Sequence, residues 1–149
     1  MTMPDANAFL CSPLGSEISQ QGLTEELLSQ PHWQARYRVL MKLGNRMEKL
    51  DASWHREEAE VSGCESTTWL YHHQQEGRHY FLADSDSRIV RGLLVLVLSA
   101  SNGQSGDAIA AVDWQQWFGA LGLADHLSPS RSNGLAAVVA RIQQCTQAG

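Results

Sequence analysis

The feature that most constrains the fold of this chain is a long apolar run over residues 89–98, Ile-Val-Arg-Gly-Leu-Leu-Val-Leu-Val-Leu. Periodicity alone does not separate a buried helix from a buried strand in such a run. Length does, because the segment extends over residues 88–101, whereas a strand usually has ~5–6 residues. Asp86-Ser87 before it supplies N-cap residues, and Asn102-Gly103 after it is a stop signal. The run therefore predicts a buried helix.

The same region argues against a membrane span. Its longest uninterrupted apolar part, Gly92 to Ala100, is about half of the ~18 residues that a spanning helix needs. Met1 to Ala8 carry an acid and no basic cluster, so we expect no signal peptide.

The chain has three cysteines, Cys11, Cys64 and Cys145, whose spacing suits no disulfide framework. We expect a cytoplasmic protein in a reducing compartment.

A β-hairpin is predicted just before the buried helix. Residues 67–71 and 79–83 are rich in β-branched and aromatic side chains, and a turn signal at residues 75–78 separates them. We also predict helices that begin at Thr24, at Pro31 with Gly44 as its C-cap, at Gly106, at Asp113 and near Ser128-Pro129-Ser130.

These elements predict an α+β fold, with a small antiparallel sheet of about three strands packed with helices. The chain of 149 residues is long enough for a single domain with a hydrophobic core. Residues 1–22 are mixed and polar, and we expect them to form a loosely ordered lead. The net charge of −5 argues against a nucleic-acid binder, which would carry a basic patch, and permits a partner with a basic surface.

Cys64 is the first candidate for chemistry. It follows Gly63 between a charged stretch and a predicted strand, so we expect an exposed loop there. Glycine lets the chain turn sharply, and an exposed thiol near positive charge forms the reactive thiolate more readily. The alternative interpretation is a small buried apolar residue.

Other sites are less well supported by the residues alone. His72, His73 and His79 lie near Cys64 in sequence, but no Cys-x-x-Cys or His-x₃-His pair accompanies them. A Cys–His hydrolase would need a distant histidine such as His126, and no local signature supports it. Arg131 is either an ordinary surface residue or a contact for an anion or a partner. Asp84 and Asp86 are either helix caps or part of a docking loop.

Three linked motifs make the chain resemble the SufE family of sulfur acceptors, over about residues 27–142. They are Gly63-Cys64-Glu65-Ser66 with Trp69, then residues 84–94 (Asp-Ser-Asp-Ser-Arg-Ile-Val-Arg-Gly-Leu-Leu), then residues 127–135 (Leu-Ser-Pro-Ser-Arg-Ser-Asn-Gly-Leu). Residues 87–94 look closer to the CsdE branch than to SufE itself. The resemblance implies a small antiparallel sheet packed with helices, which is also similar to the IscU scaffold fold.

The resemblance also implies a function. Cys64 would accept sulfane sulfur, as a persulfide, from a CsdA- or SufS-like cysteine desulfurase, for iron–sulfur cluster assembly or other sulfur trafficking. The pyridoxal phosphate belongs to that partner, so no cofactor or metal is expected on this chain. By motif position, Gly63 and Glu65 flank the reactive residue, Asp84 and Asp86 fall on a loop that adjusts it, and Arg131 could favour the anionic sulfur.

Two alternatives remain at this point. One is an iron–sulfur scaffold of the IscU type, which would hold a cluster through three cysteines, whereas the predicted fold offers only Cys64. The other is an activator that docks on the desulfurase without covalent chemistry.

Overall fold

A computed structural model describes residues 4–63 and 66–147 of the chain. The described residues contain helices and one antiparallel sheet in the order helix, hairpin, helix. The helices are α1 (Ala6–Leu10), α2 (Gln20–Leu28), α3 (Trp33–Leu43), α4 (Arg88–Ser101), α5 (Gly106–Ala110), α6 (Trp114–Ala120), α7 (Leu123–His126) and α8 (Pro129–Gln147), and the strands are β1 (Thr68–Gln75), β2 (Arg78–Ser85) and β3 (Gln104–Ser105).

The sheet has the order β1-β2-β3, and both pairings are antiparallel. In the register of the hairpin, Thr68 faces Ser85 and Gln75 faces Arg78. Glu76 and Gly77 form the turn with φ values of 54° and 77°, the two positive values that a type I′ hairpin turn requires. The predicted hairpin and the α+β fold class are therefore confirmed.

Helix α4 is the buried centre of the fold, as the apolar run predicted. The Ser87 side chain accepts a hydrogen bond from the Val90 N–H at its start. At Gly92 the helix lies so close to α3 that an added Cβ would sit 2.0 Å from the Leu40 carbonyl oxygen. Glycine at this position therefore sets how closely the two helices approach. The residues of α4 from Leu93 to Leu98 are all at most 2% exposed.

The start of α2 differs from the prediction. Ser19, not Thr24, is the N-cap, and its side chain accepts a hydrogen bond from the Gly22 N–H at 3.0 Å. Thr24 lies inside the helix, where its hydroxyl donates to the Gln20 carbonyl at 2.7 Å. Serine and threonine cap by the same chemistry, and the earlier of the two polar residues begins the helix.

The predicted loosely ordered lead contains helix α1 and the start of α2 within its described residues, 4–22. Asp5 caps α1, and Phe9 of that helix is only 1% exposed in a cluster with Trp69 and Tyr71 of β1. The prediction treated the segment as polar, but its few apolar residues are the ones that reach the sheet.

Among the described residues, none of the helices combines the length and the apolar character that crossing a bilayer would take.

Candidate functional site

Cys64 and Glu65 lie outside the described residues, and the structure defines the site by the residues on either side of them. We call residues 62–67 the cysteine loop. On its N-terminal side, Glu60 forms an antiparallel bridge with Trp69, and the Val61 N–H donates to the Thr68 carbonyl at 2.9 Å. The two ends of the loop are thus held side by side at the start of β1.

A second set of hydrogen bonds joins the end of the loop to β2. The Thr67 carbonyl accepts from the Asp86 N–H at 3.1 Å and from the Ser85 hydroxyl at 3.0 Å. The Thr68 hydroxyl lies 3.2 Å from that of Ser85, and both residues are buried. The Thr68–Ser85 contact is shielded from water, and together with the two bonds to the Thr67 carbonyl it fixes the C-terminal end of the loop on the hairpin.

Gly63 brings the loop to helix α8. It has a φ of +94°, a backbone conformation that favours glycine. A Cβ added there would lie 3.3 Å from the Ala137 Cβ, a tight contact. The residue directly before Cys64 therefore passes close to α8, a contact that the sequence analysis did not predict, and its positive φ uses the backbone freedom that the analysis expected of glycine.

Arg131 lies on the first turn of the same helix. Its side chain is partly exposed, its N–H donates to the Ser128 hydroxyl at 3.4 Å, and its guanidinium donates to the Tyr37 hydroxyl at 3.2 Å. It precedes Ala137 by six positions, about 9 Å along a helix. The described contacts of Arg131 thus join α8 to α3, and the helix rather than a direct bond relates it to the cysteine loop.

Asp84 lies on β2, so the expectation of a loop at this residue is wrong. It is 3% exposed, and its carboxylate accepts from the Arg91 guanidinium, from the Leu50 N–H at 3.0 Å and from the Ser85 N–H at 2.8 Å. These contacts make Asp84 a buried anchor at the end of β2, next to Ser85, whose hydroxyl bonds the Thr67 carbonyl. Asp86, in contrast, is exposed in the segment between β2 and α4.

Arg91 is the residue that the sequence analysis missed. It is 7% exposed on α4, and its guanidinium also donates to the Gly44 and Met47 carbonyls at 2.9 and 2.7 Å. A buried guanidinium needs such partners because its charge is costly to desolvate. A single cation within an apolar run, seven positions after Asp84, was the signal available in the sequence.

His55 completes this anchor from the side of the segment that leads into the loop. Its ring stacks on Trp69 with centroids 3.9 Å apart and planes 4° apart. Its Nε2 is 3.4 Å from the Asp84 carboxylate. The segment before the cysteine loop is therefore held against β1 by ring stacking in addition to the backbone bridge.

The histidines considered for metal binding or hydrolysis are engaged elsewhere. His72 Nε2 lies 2.8 Å from His79 Nδ1, and burial lowers the pKa of His72 to about 4. His126 stacks on Trp33 with ring centroids 4.6 Å apart. Within residues 4–63 and 66–147, no three histidine, cysteine, aspartate or glutamate side chains are grouped to bind a metal ion.

The two described cysteines have different surroundings. Cys11 is exposed, next to α1, and Cys145 is half-buried near the end of α8. Burial raises the pKa of the Cys145 thiol, so little of it is thiolate at neutral pH. Neither residue lies in one of the three motifs.

The chain is similar to known proteins along most of its length. The family model "SufE: Fe-S metabolism associated domain" matches residues 21–146. The sulfur acceptor protein CsdE of Escherichia coli is 34% identical over 148 residues, 99% of this chain and 99% of that protein. An uncharacterized SufE-like protein of Rhizobium etli is 38% identical over 116 residues, 75% of this chain and 78% of that protein.

A solved structure supports the fold independently. The solution structure of a hypothetical protein from Thermus thermophilus superposes with a TM-score of 0.69 and 19% sequence identity, covering 87% of this chain and 93% of that one. At that identity the likeness concerns the fold alone. The family model spans the cysteine loop and nearly all of α8. Together with the Escherichia coli relative it decides the family: the chain belongs to the SufE family.

Proposed function

We propose that this protein accepts sulfane sulfur on Cys64 from a pyridoxal-phosphate-dependent cysteine desulfurase, CsdA- or SufS-like, and so activates that enzyme. The observation that carries the proposal is the family match over residues 21–146, which includes Cys64. The name of the Escherichia coli relative, a sulfur acceptor aligned over 99% of this chain, supports it. The protein works without a cofactor of its own, in the cytoplasm.

The proposed step is a thiol exchange. The Cys64 thiolate attacks the outer sulfur of the desulfurase persulfide, and a new sulfur–sulfur bond forms at Cys64 Sγ. The bond between the desulfurase cysteine and that outer sulfur breaks, and the desulfurase cysteine leaves as a thiolate. No electrons are gained or lost overall. The desulfurase is then free for another turnover, and Cys64 passes the sulfur on for iron–sulfur cluster assembly or other sulfur trafficking.

The surroundings of the cysteine loop support this chemistry. Its ends are tied by the Val61–Thr68 and Asp86–Thr67 backbone hydrogen bonds, so only a few residues separate the two held positions on either side of Cys64. Gly63 gives that short segment its turn. A loop that is short and held at both ends keeps the entropic cost of placing one sulfur atom low.

The remaining motif residues have supporting roles in the proposal. Asp86 is exposed beside the loop and, with Glu65, offers negative charge to a basic docking surface. Asp84 holds the end of β2 on which the loop rests. Arg131 supplies positive charge on α8, the helix that Gly63 approaches. This charge favours the anionic form of the Cys64 sulfur, thiolate or persulfide, electrostatically.

The decisive test is mass spectrometry of the protein after incubation with a desulfurase and L-cysteine. We expect a mass increase of one sulfur atom on the peptide that contains Cys64. Cys64→Ser should abolish it, whereas Cys11→Ser and Cys145→Ser, the matched controls, should retain it.

Two results would contradict the proposal. Sulfur on Cys11 or Cys145 in the wild-type protein would show that Cys64 is not the acceptor. Activation of the desulfurase by Cys64→Ala, at the wild-type level, would show that the protein acts by docking without covalent chemistry.

A further inference from the structure

An apolar stripe on helix α3 is partly open to solvent. Trp33, Tyr37 and Met41 follow one another at intervals of four positions, so their side chains lie on one side of the helix. All three are partly buried and pack on the hydrophobic core. Aromatic residues and methionine are enriched where proteins contact one another, so the exposed part of this stripe is a candidate contact surface.

Two cations line one side of the stripe. Arg38 and Lys42 directly follow Tyr37 and Met41 in the chain, and both are exposed. Their spacing of four positions brings two like charges together on the helix surface, which slightly destabilises a helix. The ion pairs among the described residues involve neither of them, so no paired carboxylate offsets their charge.

Two further cations reach the stripe from other helices. Arg131 comes from α8, and its guanidinium donates to the Tyr37 hydroxyl at 3.2 Å. Arg88 is exposed in the first turn of α4, which passes the end of α3 so closely that a Cβ added at Gly44 would lie 3.5 Å from the Arg88 carbonyl oxygen. These two are likewise in no ion pair of the described residues. Four such cations thus surround one stripe in a chain of net charge −5, and we call the stripe with these cations the α3 surface.

The α3 surface lies beside the cysteine loop. Arg131 is on α8, the helix that Gly63 approaches. Arg88 comes two positions after Asp86, whose N–H donates to the Thr67 carbonyl at 3.1 Å, and no described ion pair joins Asp86 to Arg88. Elements that hold the loop therefore also border the α3 surface, and a partner that reaches the loop can contact this surface at the same time.

We propose that the α3 surface docks an acidic surface of the cysteine desulfurase, an inference that rests on the sulfur-acceptor function proposed above. Carboxylates of the desulfurase face the four cations, and its apolar side chains cover Tyr37 and Met41. Charges at the edge of an interface act mainly on the rate of encounter and on its salt dependence. The α3 surface therefore sets how readily the desulfurase is captured, and the sulfur step itself does not depend on it.

Initial rates of sulfur transfer test the proposal. The desulfurase and L-cysteine are mixed with increasing concentrations of this protein at low ionic strength, and mass spectrometry follows the persulfide on Cys64. Arg38→Glu and Lys42→Glu each reverse one exposed charge. Each should raise the half-saturating concentration of this protein by on the order of fivefold, while the rate at saturation stays at the wild-type value. Added sodium chloride should raise the wild-type half-saturating concentration more than that of either variant.

Two variants serve as controls. Lys49→Glu reverses an exposed cation outside the α3 surface, and Lys42→Arg keeps the charge, so both should retain the wild-type half-saturating concentration. An unchanged value in Arg38→Glu and Lys42→Glu, or an equal rise in Lys49→Glu, would overturn the docking surface and leave sulfur acceptance on Cys64 intact. Absence of a persulfide on Cys64 in the wild-type protein at every concentration would overturn both proposals.

Discussion

Replacing Asp84 with asparagine tests whether this residue is a structural anchor. The change removes the negative charge that faces the Arg91 guanidinium while keeping the size of the side chain. Arg91 would retain the Gly44 and Met47 carbonyls, but no charged partner among its described contacts. Both residues of the pair are buried, at 3% and 7% exposure, so water cannot take the place of the lost carboxylate.

The expected cost follows from that burial. Breaking a buried ion pair by removing one partner typically costs about 3–5 kcal/mol of unfolding free energy, because an uncompensated charge is left inside. With a urea m-value of about 1.5 kcal/mol/M, the unfolding midpoint should fall by about 2 M or more. The double variant Asp84→Asn/Arg91→Met removes both charges, and it should recover about 2 kcal/mol relative to the sum of the single changes.

Urea denaturation followed by circular dichroism measures these changes. Asp86→Asn is the matched control, since Asp86 is an exposed carboxylate two positions away, and its unfolding free energy should stay within about 0.5 kcal/mol of the wild-type value. A loss below about 1 kcal/mol for Asp84→Asn, or no coupling with Arg91→Met, would refute the anchor. Loss of sulfur acceptance with unchanged stability would instead assign Asp84 to partner docking.

Three further changes test other parts of the structure. Gly92→Ala should lower the unfolding free energy by about 3 kcal/mol, because its Cβ would overlap the Leu40 carbonyl; a change within 0.5 kcal/mol, about the scatter of a surface substitution, would contradict the close approach of α3 and α4. Gly63→Ala should cost about 1–2 kcal/mol through its φ of +94°, and should slow persulfide formation on Cys64; a transfer rate equal to that of the wild type would show that the turn is unimportant. His72 should titrate by NMR with a pKa of about 4. Because this folded-state pKa is below the ordinary histidine value of 6.5, the unfolded chain binds more protons between these values, and stability should fall as pH drops from about 6.5 to 4; a midpoint near 6.5 for His72 would contradict its burial.

Local patterns in the sequence were enough to predict most of the secondary structure. The helix over 88–101, the hairpin and the start of α8 have strong signals within a few residues, and those signals agree with their burial. The predicted start of α2 was wrong because Ser19 and Thr24 have the same capping chemistry. The burial of Phe9 was missed because it depends on β1, about sixty positions later in the chain.

The sequence by itself determined the family, the reactive position proposed at Cys64 and the buried helix, because each depends on residues close together in the chain. Only the tertiary structure decided what surrounds them. Three contacts join elements that are separate in the chain. The Asp84–Arg91 pair joins β2 to α4, Gly63 approaches Ala137 of α8, and the His72–His79 contact joins β1 to β2. Such contacts depend on how helices and strands pack, and packing is set by the whole core rather than by any one segment.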